Sequence, residues 1–238
     1  FSLNYHKHIH TGEGGIVVTN NDDLADKVRL IRNHAESVME KKGYKTLVNM
    51  IGYNFRMTEI EATIAREQLK KLPLLLKERV KNVSYLSKKL AAIPCLEPAK
   101  IRHGSKHAFY VHALKFDAKI AGVSRENFID AVKAELPVTK LRESEGVKIG
   151  CGYVKPIYLE PLYQNKIAYG DKGCPWKCEF YQDKTSYCEG ACKITETMYN
   201  GILITHELMR PPMTKADLDD VVEAFTKVWE NRKEINCL

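Results

Sequence analysis

The order of apolar and polar positions predicts a strand and then an amphipathic helix near the start of the chain. Residues 16–19 are an apolar run, Ile-Val-Val-Thr, which predicts a buried strand. Apolar side chains then recur at helical spacing from 24 to about 33, and either Asp22 or Asp23 can cap that helix. Residues 34–45 are polar and interrupted by glycine, so they predict a loop.

Two further helices are predicted in the second quarter of the chain. Thr58 is followed by Glu61, which is the pattern of a capping box at a helix N-terminus. Apolar residues at helical spacing extend this helix to about residue 72. Pro73 has no backbone N–H to donate and interrupts the pattern, so a separate helix is predicted from 74 to about 92.

The rest of the chain predicts a mixture of short strands and capped helices. These elements are strands at 108–116 and 202–204, a helix at 125–135 capped by Ser124, and a last helix capped by Thr214 together with Asp217. Between them, residues 138–152 predict a short strand and a loop.

The composition is that of a globular protein with a basic surface. The chain has 238 residues, of which 44% are hydrophobic and 28% are charged. No apolar run approaches the roughly 18 residues that cross a membrane, no signal peptide opens the chain, and a cytoplasmic location is expected. The formal net charge of +7 favours anionic substrates such as nucleotide diphosphates. The lysines are dispersed and do not alternate with aromatic residues, which disfavours nucleic-acid binding.

Four of the seven cysteines form a regular pattern of two pairs. Cys174 and Cys178 are separated by three residues, and so are Cys188 and Cys192. Paired cysteines can bind zinc or an iron–sulfur cluster, although zinc ribbons usually have two residues between the members of a pair. Metal ligation, disulfides and free thiols in a reducing cytoplasm are all compatible with this pattern.

The start of the chain carries the clearest chemical pattern. Lys7 lies between His6 and His8, five residues after Ser2. A lysine amine is a good nucleophile only when it is uncharged, and neighbouring cations favour that form. A hydroxyl and the backbone N–H groups exposed by a glycine turn at 12–15 can hold an anion such as phosphate. A lysine beside a phosphate holder predicts a Schiff-base site for pyridoxal phosphate, although a lysine in a solvated loop has the same local sequence.

The first fifteen residues read Phe-Ser-Leu-Asn-Tyr-His-Lys-His-Ile-His-Thr-Gly-Glu-Gly-Gly. This stretch resembles the segment F-S-x-x-x-x-K-x-I-x-T-G-E-G-G of the DegT/DnrJ/EryC1/StrS family. Its members are pyridoxal-phosphate aminotransferases that act on keto sugars attached to nucleotides. The resemblance implies that Lys7 is the catalytic Schiff-base lysine and that Ser2 binds the cofactor phosphate.

A second segment, residues 52–62, resembles the family motif G-Y-N-x-R-M-T-E-I-x-A. The resemblance implies that Asn54 reaches the cofactor phosphate of a neighbouring subunit. A homodimer whose active sites are shared across the interface is therefore expected. Arg56 is implied as a second cofactor-binding residue in the same region.

A third segment, residues 153–163, resembles the family sequence Y-x-x-P-x-H-x-x-P-x-Y near the substrate pocket. Tyr158 replaces the usual histidine, and the resemblance implies that it contacts the substrate. The same residues also fit a loop that contains two prolines and packed tyrosines and has no role in binding. Residues 192–196 resemble the family's C-P-x-x-E, with Lys193 in place of proline. Because the family has a cysteine at Cys192, the resemblance weakens the metal interpretation.

The resemblance implies an α/β fold, the C-terminal part of an aspartate-aminotransferase-like (fold type I) transferase. Residues 1–73 would be the C-terminal part of the large cofactor-binding domain, and 74–238 the small α+β domain. Because the sequence starts at Phe1 inside a motif, we expect it to be a fragment, roughly the C-terminal 60% of such an enzyme. The carboxylate and aromatic residue that bind the cofactor ring are expected upstream, so this fragment alone is expected to be inactive.

The function implied is transfer of an amino group from glutamate or glutamine to a keto sugar on a nucleotide, in polysaccharide or antibiotic-sugar biosynthesis. Two alternatives remain open. Some family members catalyse sugar dehydration with a histidine in place of the lysine, and Lys7 favours transamination instead. A non-catalytic cysteine-rich metal-binding domain is the other alternative, and no metal site is predicted on the transaminase interpretation.

Overall fold

The computed structural model describes residues 1–36, 50–138, 146–182 and 184–235, and the chain divides into two compact units, 1–77 and 78–238. The sequence predicted a boundary near Pro73, and the assignment of the two parts to a large and a small domain stays a prediction. Most of the loop predicted at 34–45 lies outside the described residues. Among the residues that are described, no helix has both the length and the apolar character needed to cross a membrane.

The first unit opens with one short capped helix. Helix α1, Asp22–Arg32, begins after Asn21, whose side chain accepts a hydrogen bond from the backbone N–H of Leu24 at 2.9 Å. The prediction that Asp22 or Asp23 caps this helix was wrong, because both lie inside its first turn. There their carboxylates still favour the positive end of the helix dipole.

The strand predicted at 16–19 is not present. Val17 and Val18 are 69% and 68% exposed, and the described pairing closest to them is an isolated bridge between Ser2 and Gly15. A strand requires successive backbone hydrogen bonds to a neighbouring strand, and among the described residues only Ile16, at the start of the run, exchanges such bonds, with Phe1. The prediction of a buried strand at 16–19 is therefore wrong.

Helix α2, Glu59–Leu90, is continuous through Pro73, so the two helices predicted on either side of that proline are one. A proline inside a helix removes the hydrogen bond from its own nitrogen, but the bonds of the preceding and following turns remain. The predicted capping box is confirmed. Thr58 Oγ1 accepts from Glu61 N at 3.2 Å, and the Glu61 carboxylate accepts from Thr58 N at 2.8 Å.

Four short strands form one antiparallel sheet in the second unit, in the order β1-β2-β4-β3. They are β1 Leu96–Pro98, β2 His112–Phe116, β3 Ile149–Cys151 and β4 Leu203–His206. Ile204 of the central strand β4 lies opposite Leu114 on one side and Cys151 on the other. The strands predicted at 108–116 and 202–204 are both present. The first begins later, at His112, and ends at Phe116 as predicted, and the second runs from Leu203 to His206.

The described α-helices of the second unit are the C-terminal part of α2, α3 Ala118–Ala121, α4 Arg125–Glu135, α5 Pro161–Asn165, α6 Lys193–Thr197, α7 Lys215–Glu230 and α8 Arg232–Ile235. Helices α2, α3, α4 and α7 contribute buried residues to the core of this unit. Phe128 of α4 is fully buried, with its ring centroid 5.1 Å from that of Phe116 and 6.3 Å from that of Phe225. Leu86 and Leu90 of α2 are fully buried in the same cluster.

Both helix starts predicted in this unit are confirmed. Ser124 caps α4 by accepting a hydrogen bond from Asn127 N at 3.1 Å. Thr214 and Asp217 form a reciprocal capping box at the start of α7, with the Asp217 carboxylate accepting from Thr214 N at 2.6 Å.

Strand β2 begins at His112 and not at 108, because the preceding residues turn. Phe109 has a positive φ of 48°, which an extended strand does not allow. The buried guanidinium of Arg79 donates to the carbonyl oxygens of Phe109 at 3.0 Å and Tyr110 at 3.2 Å. These carbonyls are therefore bound by a side chain and not by a neighbouring strand.

A pair of histidines is buried between β2 and β4. Nδ1 of His112 lies 2.9 Å from Nε2 of His206, and each side chain is 1% exposed. His206 Nδ1 accepts from Leu208 N, so its proton is on Nε2 and is donated to His112. His112 then carries its proton on Nε2 and donates it to Ser87 Oγ, 2.9 Å away. No role was predicted for His112 or His206, because their pairing across the sheet leaves no local pattern in the sequence.

Candidate active site

The start of the chain folds into a closed loop. Phe1 and Ile16 exchange backbone hydrogen bonds, the terminal amine donating at 2.6 Å and Ile16 N donating at 2.8 Å. Leu3 N donates to Gly14 O at 2.9 Å, and Leu3 is buried. These hydrogen bonds bring residues 1–3 next to residues 14–16. The residues between them therefore form a loop that is fixed at its base.

Lys7 lies on this loop and is half-buried. Its backbone N–H donates to Asn4 O at 2.9 Å. The Asn4 side chain donates to Glu13 Oε1 at 2.8 Å and accepts from His6 N at 3.1 Å. The hydrogen bond between the Asn4 and Glu13 side chains therefore joins the two sides of the loop. Asn4 is also the residue to which the Lys7 backbone binds.

Ser2, the predicted phosphate ligand, lies at the base of the same loop. Its hydroxyl oxygen accepts a hydrogen bond from Asn4 N at 3.2 Å, and its backbone forms the bridge to Gly15. A serine oxygen with one accepted bond can still donate its own proton to an anion. Ser2 and Lys7 are thus two predicted site residues that the structure places on one short loop.

Gly14 needs to be glycine at this place in the loop. Its φ is +146°, and a Cβ here would lie 2.9 Å from Thr11 Oγ1 and 3.2 Å from Met57 Cε. Real Cβ atoms essentially never approach within 3.0 Å of a non-bonded heavy atom. Met57 belongs to the second predicted motif, so the two motifs of the first unit are in contact here.

The second motif runs beside the end of α1. Asn54 forms an isolated antiparallel bridge with Asn33, and Arg56 Nη1 donates to the Asn33 side chain at 2.8 Å. A Cβ on Gly52 would lie 2.0 Å from the backbone nitrogen of Ala35, so this crossing requires glycine. Asn54 and Arg56, the other predicted phosphate-side residues, are both exposed at this crossing.

Tyr158, the predicted substrate residue, belongs to the second unit. It lies in a 3-10 turn, Ile157–Leu159, and its hydroxyl makes a short hydrogen bond to Glu196 Oε1. Burial, and then the bond to Glu196, raise the pKa of Tyr158 to about 12. The bond from Tyr158 is also the main cause that lowers the pKa of Glu196 below its ordinary value.

Glu196 is a residue whose contacts the sequence did not reveal. Its carboxylate accepts from Gly190 N at 2.9 and 2.8 Å and from Cys192 N at 3.4 Å, in addition to Tyr158. Its side chain is buried, which is uncommon for a glutamate unless it is paired. The C-P-x-x-E resemblance marked the position, but not its partner 38 residues earlier in the chain.

The described cysteines do not form a metal site. Six of them are free thiols, including Cys174, Cys178, Cys188 and Cys192. Within the described parts of the chain, no group of three or more His, Cys, Asp or Glu side chains could hold a metal ion. The cysteine-rich metal-binding alternative therefore has no site among the residues that the structure describes.

The side chains of the first unit fit pyridoxal phosphate by their chemistry. A primary amine on a fixed loop can bind the aldehyde, and a hydroxyl, an amide and a guanidinium can bind the phosphate. The positive φ of Gly12 and Gly14 bends the backbone of that loop sharply after the lysine. The roles of the individual residues stay predictions.

Solved structures that resemble this chain are pyridoxal-phosphate-dependent sugar aminotransferases of fold type I, and the mixed helix-and-sheet architecture agrees with that class. The chain belongs to the DegT/DnrJ/EryC1/StrS aminotransferase family, whose sequence model matches residues 1–177. Enzymes of this family depend on pyridoxal phosphate.

Three relatives illustrate the match. SpsC of Bacillus subtilis, a spore coat polysaccharide biosynthesis protein, is 27% identical over 234 residues, 96% of this chain and 52% of SpsC. An aminotransferase from Psychrobacter cryohalolentis has a TM-score of 0.71 at 22% identity, covering 97% of this chain and 55% of its own. Helicobacter pylori PseC, an aminotransferase involved in the biosynthesis of pseudoaminic acid, has a TM-score of 0.64 at 22% identity, covering 94% and 51%.

The chain thus spans about half the length of the relatives that it matches. The structural likenesses, at 22% identity, concern the fold.

Proposed function

We propose that this protein is a pyridoxal-phosphate-dependent aminotransferase that transfers an amino group from glutamate or glutamine to a keto sugar carried by a nucleotide. Family membership supports the reaction class. SpsC is a spore coat polysaccharide biosynthesis protein, which supports a sugar substrate. The observation that carries the proposal is the closed loop, fixed by backbone hydrogen bonds at its base, on which both Lys7 and Ser2 lie.

Lys7 would hold the cofactor through Nζ, and Ser2, Asn54 and Arg56 would hold its phosphate. The bound cofactor supplies an electron sink for the carbon that carries the amino group. Lys7 Nζ, when uncharged, can take the proton from that carbon of the amino donor and later return a proton to the sugar carbon. Lysine at position 7, where histidine would accompany dehydration, favours amination.

The hydrogen bonds within the loop prepare Lys7 for this role. The bridge between Asn4 and Glu13 joins the two sides of the loop, and the base is closed by the pairing of Phe1 with Ile16. Fixing the loop before the substrate binds removes part of the entropy cost of orienting the amine.

A homodimer is part of the proposal because apolar side chains are exposed around Asn54. Ile51, Tyr53 and Phe55 are 78%, 51% and 64% exposed, and the rings of Tyr53 and Phe55 stack with centroids 4.9 Å apart. Such exposed apolar side chains next to a polar ligand residue are typical of a surface that a second protein covers. In the proposed dimer, Asn54 of one copy binds the phosphate in the other.

Residues that bind the cofactor ring are not assigned in this chain. The relatives are about twice as long, and by resemblance the ring carboxylate lies in the part that this chain does not match. We therefore propose that residues 1–238 expressed alone bind the cofactor weakly. A cytoplasmic location, where nucleotide sugars are made, is proposed together with this function.

The proposal is tested by cofactor binding to the full-length protein and to a Lys7→Arg variant. Arginine keeps the positive charge but cannot form the covalent link, so the variant should lose the absorbance band of the lysine-bound cofactor. Lys27→Arg, an exposed lysine on α1, is the matched control and should keep the band. An unchanged band in Lys7→Arg would remove the basis of the proposed function.

A further inference from the structure

One residue of the closed loop, Asn4, makes four hydrogen bonds within that loop. Its backbone N–H donates to Ser2 Oγ at 3.2 Å, and its carbonyl oxygen accepts from Lys7 N at 2.9 Å. Its side-chain oxygen accepts from His6 N at 3.1 Å, and its side-chain nitrogen donates to Glu13 Oε1 at 2.8 Å. Asn4 therefore contacts both predicted site residues of the loop and also the opposite side of the loop.

Two of these bonds shape the turn that leads into Lys7. The bond from Lys7 N to Asn4 O closes a turn of four residues, and the bond from His6 N reaches the Asn4 side chain two residues earlier. Asparagine and aspartate are both favoured at the first position of such a turn, because either side chain offers that oxygen. The turn alone therefore does not require an amide at position 4.

The bond to Glu13 is the one that requires asparagine. An ionised aspartate offers only acceptors, whereas the amide of asparagine offers an acceptor and two donors. The oxygen of the amide accepts the His6 N–H, and its nitrogen is left to donate to the Glu13 carboxylate. An aspartate at position 4 would keep the turn but would place a second carboxylate against that of Glu13, and like charges repel.

We infer that Asn4 and Glu13 are positioning residues for Lys7, and that the bond between their side chains determines where the loop holds the lysine. This inference rests on the proposed function, in which Lys7 carries the cofactor. Asn4 acts through the Lys7 backbone, so neither Asn4 nor Glu13 has to contact the cofactor. Thr11 N donates to Leu3 O at 3.0 Å, so the base of the loop stays closed when the pair is broken and only the turn at residues 4–7 is released.

Exchanging the two chemical groups tests this role without changing the length of either side chain. The full-length protein is compared with Asn4→Asp, with Glu13→Gln and with the double variant that carries both substitutions. Asn4→Asp brings two carboxylates together. In the double variant the glutamine amide can donate to the aspartate, so the bond forms again with its donor and acceptor exchanged. Glu13→Gln keeps a bond from Asn4 to an uncharged acceptor, so its effect should be smaller than that of Asn4→Asp.

Two readouts are measured on each protein. The first is the rate at which trypsin cleaves after Lys7 in the protein freed of cofactor, followed by mass spectrometry, because a protease cleaves the opened form of a segment. The second is retention of pyridoxal phosphate, followed by the absorbance band of the lysine-bound cofactor. Asn4→Asp should be cleaved roughly 2- to 12-fold faster and should retain the cofactor more weakly by a similar factor, as expected for one hydrogen bond. The double variant should recover most of both losses.

Asn20→Asp is the matched control, because it makes the same substitution at an exposed asparagine of the first unit, outside the loop. Neither readout should change in this variant. Circular dichroism verifies that each variant is folded. If Asn4→Asp alone fails to fold, recovery of a folded, cofactor-retaining protein in the double variant supports the same pairing.

Three outcomes would overturn the inference. A double variant as impaired as Asn4→Asp would mean that Asn4 acts independently of Glu13. Faster cleavage of Asn4→Asp with unchanged cofactor retention would mean that the turn does not set the position of Lys7. Wild-type values of both readouts in Asn4→Asp would mean that the bond holds nothing in place. Failure of the proposed function is distinguishable, because it would appear as cofactor attached elsewhere than Lys7 in the wild-type protein, whereas cleavage after Lys7 is measured without cofactor.

Discussion

Acidification should destabilise the second unit through its buried histidine pair. Burial, and then the charge of His107, lower the pKa of His112 from 6.5 to about 4. Burial, and then His112, lower the pKa of His206 well below 6.5. Because the folded protein binds fewer protons than the unfolded chain, the stabilisation is complete above about pH 6.5 and is lost as the pH falls toward 4.

The magnitude follows from the two pKa values of His112. Between pH 7 and pH 5 the unfolded chain takes up most of one proton at this residue, while the folded protein takes up little. The free energy of unfolding should then fall by about 2 kcal/mol from His112 alone. His206 changes it in the same direction, since its pKa is lowered too.

Urea unfolding at pH 7 and pH 5 measures this loss directly. The two tryptophans, Trp176 and Trp229, both lie in the second unit, so their fluorescence follows the unfolding of that unit. The His112→Gln variant keeps hydrogen-bonding capacity but has no titrating ring at this position. Between pH 7 and pH 5, its free energy of unfolding should fall by about 2 kcal/mol less than that of the wild-type protein.

The control for this experiment is His103→Gln, because His103 is exposed. This variant should lose as much stability as the wild-type protein on acidification. An equal loss in wild type and in His112→Gln would refute the reasoning, since the buried pair would then not be the group that titrates.

Three further predictions concern single side chains. Arg125→Met should lower the free energy of unfolding by about 3–5 kcal/mol, because the buried guanidinium of Arg125 donates to four carbonyls of residues 198–203. Its control is Arg102→Met, which replaces an exposed arginine and should change the free energy of unfolding by less than ~0.5 kcal/mol. Urea unfolding measures both. Equal effects of the two would contradict this account. Gly14→Ala should weaken cofactor retention on the order of tenfold through loop strain, and a retention equal to wild type would contradict the tight contact. Thr214→Ala should cost about 1 kcal/mol by loss of the α7 capping box, and an unchanged urea midpoint would reject this.

The sequence predicted local features well because their causes are local. A capping box depends on two residues three positions apart, and the boxes at Thr58 and Thr214 are present as predicted. The same holds for Ser124, which caps α4. The family and its fold type were also predicted correctly, because a long motif with a fixed lysine and glycines is specific.

Features that depend on distant residues were missed. The histidine pair joins positions 94 residues apart, and the bond of Tyr158 to Glu196 joins positions 38 apart, so no local spacing indicates either. The strand at 16–19 was predicted from composition, which reports apolar character but not whether a partner strand is present. Pro73 was interpreted as the end of a helix, but α2 is continuous through it, because a proline removes only the hydrogen bond of its own nitrogen.

Covalent attachment of the cofactor at position 7 is what the proposed enzyme requires first. Borohydride reduction of the full-length protein loaded with pyridoxal phosphate fixes that attachment permanently, and peptide mapping by mass spectrometry then identifies the modified residue. We predict a single modified peptide carrying the pyridoxyl group on Lys7. Modification at another lysine, with Lys7 unmodified, would contradict the proposed enzyme.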